Sequence, residues 1–186
     1  MGGIVADSWV VTFVRTGTEN KVINILKDKL CDKVFVPFLP TREEMLKKNG
    51  VWQEHTKVLF PGYIFIQAFI EPKLIFDELN GVFENLRNSC PLIRLLYYGN
   101  DKGNVAIPES ERNFLEGLFD DNYCVKLSKG FKDDDEVYIT DGPLVGREDA
   151  IKKVIRHQRK VYLDVEFGGE LCEVKLALEL SNKSKN

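Results

Sequence analysis

The feature that most constrains this chain is a change of periodicity near residue 125: helical spacing recurs before it and is absent after it. From about residue 130 onward, Val137-Tyr138-Ile139, Ile151 to Ile155, Val161 to Val165 and Leu171 to Leu176 are short alternating runs. Asp141-Gly142-Pro143, His157-Gln158-Arg159 and Gly168-Gly169 separate them as turns. Short strands at close spacing without a helix predict a small barrel that closes on itself to remove its edges. Earlier in the chain, Trp9 to Val14 reads as a buried strand, because it is short, apolar and rich in β-branched and aromatic residues. Between Glu19 and Leu30 the apolar residues Val22, Ile23, Ile25, Leu26 and Leu30 recur at helical spacing, with Thr18 placed to cap the first turn. Val34 to Pro37 and Tyr63 to Ile66 give two further strands, and the polar stretch between them, Thr41 to Thr56, reads as a hairpin or a mobile loop. Thr41-x-x-Glu44 also fits a weak capping box. Pro72 and Pro108 each stand where a helix begins, the first using Leu74, Ile75, Phe76 and Leu79, the second Phe114, Leu115 and Leu118.

These elements predict an α+β chain of two domains. Residues 1–118 form an antiparallel sheet with packed helices, ferredoxin-like in size, residues 119–129 a polar linker, and residues 130–181 the small barrel. The chain has 186 residues, a hydrophobic fraction of 44% and 12 Phe, enough for true cores. Its net charge of −3 excludes a generally basic nucleic-acid coat, so nucleic-acid contact has to come from a local patch. No apolar run approaches the roughly 20 residues that cross a bilayer, and no leader pattern opens the chain, which predicts a cytoplasmic protein with no membrane partner. Cys31, Cys90, Cys124 and Cys172 are scattered without a Cys-x-x-Cys pair, and neither His55 nor His157 completes a ligand set. Four buried free thiols and no metal or other cofactor are the expectation.

One local patch stands out. Between residues 147 and 160, Arg147, Lys152, Lys153, Arg156, His157, Arg159 and Lys160 face only Glu148 and Asp149. Strand alternation puts Lys153 and Ile155 on one face and Lys152 and Val154 on the other, with Arg156 to Lys160 at an exposed hairpin tip. Such a tip either is a solvated turn or holds RNA, with cations on phosphates and Arg or His against unstacked bases. The RNA reading requires those cations to gather on one side and to escape pairing with the protein's own carboxylates. A second candidate, Phe60-Pro61-Gly62-Tyr63, is either a core strand entry or an exposed aromatic anchor for a partner's helix. Asp133 to Glu136 makes no magnesium site, because consecutive carboxylates diverge and no phosphate-cradling loop accompanies them. Nothing supports an enzyme beyond a nucleotide-modifying outsider, which turnover of nucleotide with magnesium would reveal.

The order of these features resembles the NusG family from about Trp9 to Leu180. The N-terminal pattern stands here as Trp9-Val10-Val11, Gly17 and Glu19, Val36-Pro37 and Phe60-Pro61-Gly62-Tyr63. The C-terminal KOW pattern stands as Val137 to Leu144 with Gly146, then Ile151, Val154, Val161-x-Leu163 and Phe167-Gly168. The resemblance implies an N-terminal domain that sits on the clamp helices of RNA polymerase through Phe60 and Tyr63, with Trp9 and Phe13 beside them. It implies a five-stranded SH3-like KOW barrel that recruits a second partner, in housekeeping members a termination factor or a ribosomal protein. Asp134-Asp135 stands where the family usually has Gly-Asp, and Cys90 to Asn104 lacks its Pro-Gly-Val strand. With the cations from Lys152 to Lys160, those departures make the chain most similar to LoaP-type paralogues. That similarity implies a monomeric processive antiterminator whose KOW domain binds a stem-loop in an operon leader. A housekeeping factor with a protein-binding KOW domain, or a free-standing ribosomal or RNA-binding module, are the alternatives.

Overall fold

The computed structural model describes residues 7–98, 104–133 and 136–182. Along the chain run β1 (Ser8–Phe13), α1 (Glu19–Lys29), β2 (Phe35–Phe38), β3 (Thr41–Lys48), β4 (Val51–Val58), β5 (Tyr63–Ala68), α2 (Pro72–Leu86), β6 (Arg94–Leu95) and α3 (Glu109–Glu116). There follow β7 (Cys124–Val125), β8 (Ser128–Asp133), β9 (Glu136–Asp141), β10 (Ile151–Ile155), β11 (Lys160–Phe167) and β12 (Glu170–Asn182). The chain is mixed α+β, with an N-terminal sheet carrying helices and a C-terminal curled sheet of five strands. It divides into two compact units, Met1–Pro40 with Phe60–Arg112, and Thr41–Leu59 with Asn113–Asn186.

The first unit is built on the antiparallel sheet β2-β5-β1-β6. Register places Val10 opposite Ile66 and Val11 opposite Phe65, so the two faces of β1 and β5 separate cleanly. One face carries Val10, Val14, Ile64, Ile66 and Phe35 into a core closed by Val22 and Leu26 of α1 and by Ile75, Leu79, Phe83 and Leu86 of α2. The helices form because their apolar residues share one stripe, and α2 begins at Pro72, where the missing N–H costs nothing. Its stripe runs through Phe83 and Leu86 instead of Leu74, which is exposed. The opposite face is aromatic: Trp9 meets Phe38 edge-on at 4.9 Å, and Phe65 lies 5.5 Å from Phe38.

Thr18 occupies the N-cap of α1 but does not cap it; its hydroxyl donates to the Arg15 carbonyl at 2.6 Å. The residue with the larger task is Glu19. Its buried carboxylate accepts the Gly62 N–H at 2.7 Å, while the Gly62 carbonyl accepts the Val14 N–H. Gly62 sits at φ +87°, and a Cβ there would press on Thr16 and the Val14 carbonyl, so only glycine fits this crossing of turn and strand end. Glu19 and the Phe60-to-Tyr63 turn, separated by some 40 residues of sequence, are thereby one structural knot.

The second unit begins with the stretch 41–56, which is a β-hairpin, β3 paired with β4 from Thr41 opposite Val58 to Lys48 opposite Val51. Thr41 is therefore in a strand and caps no helix. β7 lies parallel to β3. Within the segment 119–129, expected as a linker, residues 124–125 form β7 and Ser128 opens β8. The larger sheet runs β10-β11-β12-β8-β9. β12 pairs first with β11 and then, from Leu178, parallel with β8. On β11, Val161, Leu163, Val165 and Phe167 alternate inward to meet Val174, Leu176 and Leu178. At the Asp141-Gly142-Pro143 turn, Gly142 (φ +94°) presses against the Ser128 backbone, and the Ser128 hydroxyl accepts the Leu144 N–H at 3.2 Å. The KOW-like turn is thus pinned to β8. Of the thiols, Cys90 and Cys124 are buried, but Cys31 is exposed and Cys172 half-buried, because each stands outside the inward-facing positions. Asp134 and Asp135 lie outside the described residues. No described helix is long and apolar enough to cross a membrane.

Replacing Glu19 with Ala leaves the Gly62 N–H buried without an acceptor. Urea denaturation should register a loss of about 2 kcal/mol.

Candidate nucleic-acid interface

The end strands β9 and β10 of the five-stranded sheet do not pair with each other, and a groove of about 530 Å³ lies along them. Its charged walls are Lys132, Lys152, Lys153 and Arg156 against Glu148, over an apolar floor of Val137, Ile151, Val154 and Leu180. Simple alternation would send Lys152 and Lys153 to opposite faces. A bulge prevents this: Ile151 opposes Leu163 and Lys153 opposes Tyr162, so Lys152 is the extra residue and both lysines reach the same groove.

The tip does not project freely. Arg156–Gln158 forms a short 3-10 turn, Arg159 takes the left-handed conformation at φ 52°, and its carbonyl accepts the Leu178 N–H. That folds the turn back along β12. The Arg159 guanidinium pairs with Glu179 at 2.7 Å and stacks over the Trp52 ring of β4 at 4.6 Å. Trp52, Arg156, His157 and Arg159, with Glu179 and Leu180, line a second depression of about 500 Å³. Lys160 lies 4.0 Å from Glu44 of β3, whose carboxylate also takes Lys175 at 2.6 Å. Lys152 pairs with Asp164 at 3.1 Å and with Glu173 at 3.6 Å.

Of the seven basic residues singled out in the sequence, Lys152, Lys153 and Arg156 therefore share the groove, and Arg156, His157 and Arg159 share the second depression. Arg147 belongs to neither. Its guanidinium donates to the Pro143 and Val145 carbonyls and lies against Gly117, so it is a brace for the turn after β9. Lys152, Arg159 and Lys160 are paired with the protein's own carboxylates, whereas no carboxylate among the described residues lies within ion-pairing distance of Lys153. Escape from pairing with the protein's own carboxylates is thus met only in part, and among the described residues it is shown for Lys153. Lys132, Trp52 and Lys175 were missed. Lys132 comes from β8, inside what reads as a polar approach to the barrel, and Trp52 is a lone aromatic in a polar run.

In the first unit the aromatic candidates divide. Trp9 and Phe60 are core residues, 2% and 6% exposed, held by Phe38 and Phe65, so neither presents a ring to a partner. Phe13 and Tyr63 are half-buried cross-strand neighbours, rings 5.6 Å apart, with the Arg94 guanidinium over Phe13 at 4.8 Å. Of the four aromatic candidates, these two are the half-buried ones.

The family described as transcription termination factor nusG matches residues 7–116, more than half of the chain. The chain belongs to the NusG family. It is 26% identical over 176 residues to the transcription termination/antitermination protein NusG of Thermus thermophilus, covering 90% of this chain and 94% of that protein. It is 24% identical over 185 residues to the NusG of Staphylococcus aureus strain Mu50, covering 96% of each. A solved structure, "Domain interaction in Thermotoga maritima NusG", aligns over 94% of this chain and 96% of its own at 21% identity and a TM-score of 0.46. NusG proteins are transcription factors and not enzymes.

Electrostatically, the hinge of this NusG-family surface is Glu44. Burial pushes its carboxyl up, but the hydrogen bond and charge of Lys175, together with Arg42 and Lys160, outweigh burial and hold it below the ordinary carboxylate range. A carboxyl depressed in the folded state contributes stability above its unfolded value, near 4.3 for Glu, and loses it as pH falls through the folded value. Glu44→Gln should therefore cost about 2 kcal/mol at pH 7. In urea titrations between pH 7 and pH 3 the gap between variant and wild type should close only below about pH 4.

Proposed function

We propose that this chain is a specialised NusG-type elongation factor acting as a processive antiterminator, most similar to the LoaP type. The first unit docks on the clamp helices of RNA polymerase, and the second holds a stem-loop in the leader of the operon it serves. The observation that carries the RNA half is the groove: Lys132, Lys152, Lys153 and Arg156 line it with Glu148, Lys152 being held also by Asp164 and Glu173, in a chain whose net charge is −3. Positive charge is concentrated there instead of spread, as recognition of a phosphate ladder requires. The ion pairs of Lys152 with Asp164 and of Arg159 with Glu179 are no obstacle. They are surface pairs, each worth on the order of 0–1 kcal/mol, so phosphates can displace their carboxylates at small cost.

On the polymerase side, Phe13 and Tyr63 supply an aromatic pair edged by Arg94, the residue types that dominate protein interfaces. The factor acts as a monomer in the cytoplasm. Because both sites lie on one chain, binding at one raises the effective concentration at the other, adding a factor of about 10² in avidity. Antitermination then follows from preferential binding to the elongating state over the paused state, a population shift with no chemical step. A second reading, a housekeeping factor whose KOW-like unit binds protein, draws on the relatives' termination/antitermination names and on the internally paired Lys152, Arg159 and Lys160.

Gel shifts of the full chain against hairpin RNA, single-stranded RNA and duplex DNA at several salt concentrations separate the two. The hairpin should bind best, and Lys153→Ala with Arg156→Ala should lower the slope of log affinity against log salt by roughly two. Unaltered RNA binding in that double variant removes the groove from the mechanism, and no RNA binding by wild type favours the housekeeping reading. Phe13→Ala with Tyr63→Ala should weaken association with polymerase by about tenfold or more, leaving RNA binding intact.

A further inference from the structure

Trp52 has no evident reason to be where it is. Gln53 to Lys57, which follow it in β4, are exposed and polar, so this stretch of the strand offers the indole no apolar core. Cations cover it instead: Arg159 at 4.6 Å and its cross-strand partner Lys47 at 5.8 Å from the ring centroid. Beside it opens the depression of about 500 Å³ whose remaining walls are Arg156, His157, Glu179 and Leu180, a volume in the range of small-ligand sites. An indole stacked on a planar guanidinium, an imidazole and a further arginine are the chemistry that receives a splayed-out nucleotide: flat π faces for the base, cations for its phosphate. Glu179 adds an acceptor. Its Oε1 takes Arg159, and the carboxylate keeps lone pairs for an exocyclic amine of a base.

We propose that this depression is a subsite for one unpaired nucleotide adjoining an RNA stem, with Trp52 of the β3–β4 hairpin completing it. The base stacks on the Trp52–Arg159 platform, its exocyclic amine donates to Glu179, and its phosphate lies against Arg156 and His157. This rests on the reading that the second unit binds RNA, and it deepens that reading by naming a bulged, amine-bearing base as the feature recognised beyond the stem. It also assigns an RNA contact to a segment that ends about 70 residues before the C-terminal sheet begins, since β4 closes at Val58 and β8 opens at Ser128. The competing role for Trp52 is a clasp that holds the hairpin against that sheet.

The test uses the full chain and two RNA hairpins of identical stem, one perfectly paired and one with a single bulged 2-aminopurine, whose fluorescence falls on stacking. Wild type should bind the bulged RNA about tenfold more tightly and quench it. Trp52→Ala should abolish both the preference and the quenching while leaving affinity for the paired stem within about twofold, and Trp52→Phe should retain most of both. Quenching and preference that persist in Trp52→Ala, with only a lowered melting temperature, identify a clasp and overturn the subsite. Equal binding of both RNAs by wild type overturns the subsite and leaves the RNA-binding reading standing. Binding of neither overturns both.

Discussion

Two consecutive buried carboxylates on β3 decide how this chain is put together. Strand geometry sends Glu43 and Glu44 to opposite faces. Glu43 accepts the Leu127 N–H at 2.6 Å and the Lys126 ammonium at 2.8 Å, and Glu44 takes Lys175 at 2.6 Å. Buried charge is expensive unless it is met by partners of this kind, and every one of these partners lies in or next to the C-terminal sheet. The hairpin, inserted in sequence between two strands of the first unit, is in consequence a component of the second. A pairing this specific discriminates against other placements of the hairpin, since any other leaves two carboxylates without their cations.

That arrangement also explains which parts of the fold were legible in the sequence. The sheet-and-helix unit was, because Val22 to Leu26 on α1 and the run of β5 obey simple periodicities and their cores are apolar. Alternation likewise announces β11. The hairpin resisted because β3 buries Glu43, Glu44 and Met45 in succession, a pattern that polarity assigns to a surface and periodicity assigns to nothing. Trp9 and Phe60 look the same as an exposed anchor in a short apolar run, and only the packing of Phe38 and Phe65 around them makes them core.

The cationic run shows a different limit. That seven basic residues fall together is a property of composition, and the sequence displays it. What each of them meets is set by partners at distances no local window spans: Glu44 for Lys160, Glu179 for Arg159, Glu173 for Lys152. The bulge at Lys152 is equally invisible, because it arises from the mismatch of two strands and not from either alone. Of the resemblance motifs, Glu19 and Gly62 acquire a physical meaning only when the Glu19 carboxylate is seen to accept the Gly62 N–H.

The same pairing gives the cationic surface a graded character. Lys153 has no carboxylate within ion-pairing distance among the described residues, Lys152 and Arg159 are held by the half-buried Asp164 and Glu179, and Lys160 shares the buried Glu44 with Lys175. A ligand with one phosphate gains little from displacing any single carboxylate, since one surface pair replaces another of similar worth. A ligand that presents several phosphates at the spacing of Lys132, Lys153 and Arg156 exchanges them together and releases counterions at each. In a chain of net negative charge, with no diffuse attraction to polyanions, the proposed RNA reading would on this ground favour structured nucleic acid over nucleic acid in general. Selectivity of that kind is what a factor bound to one leader, and indifferent to the rest of the transcript, would require.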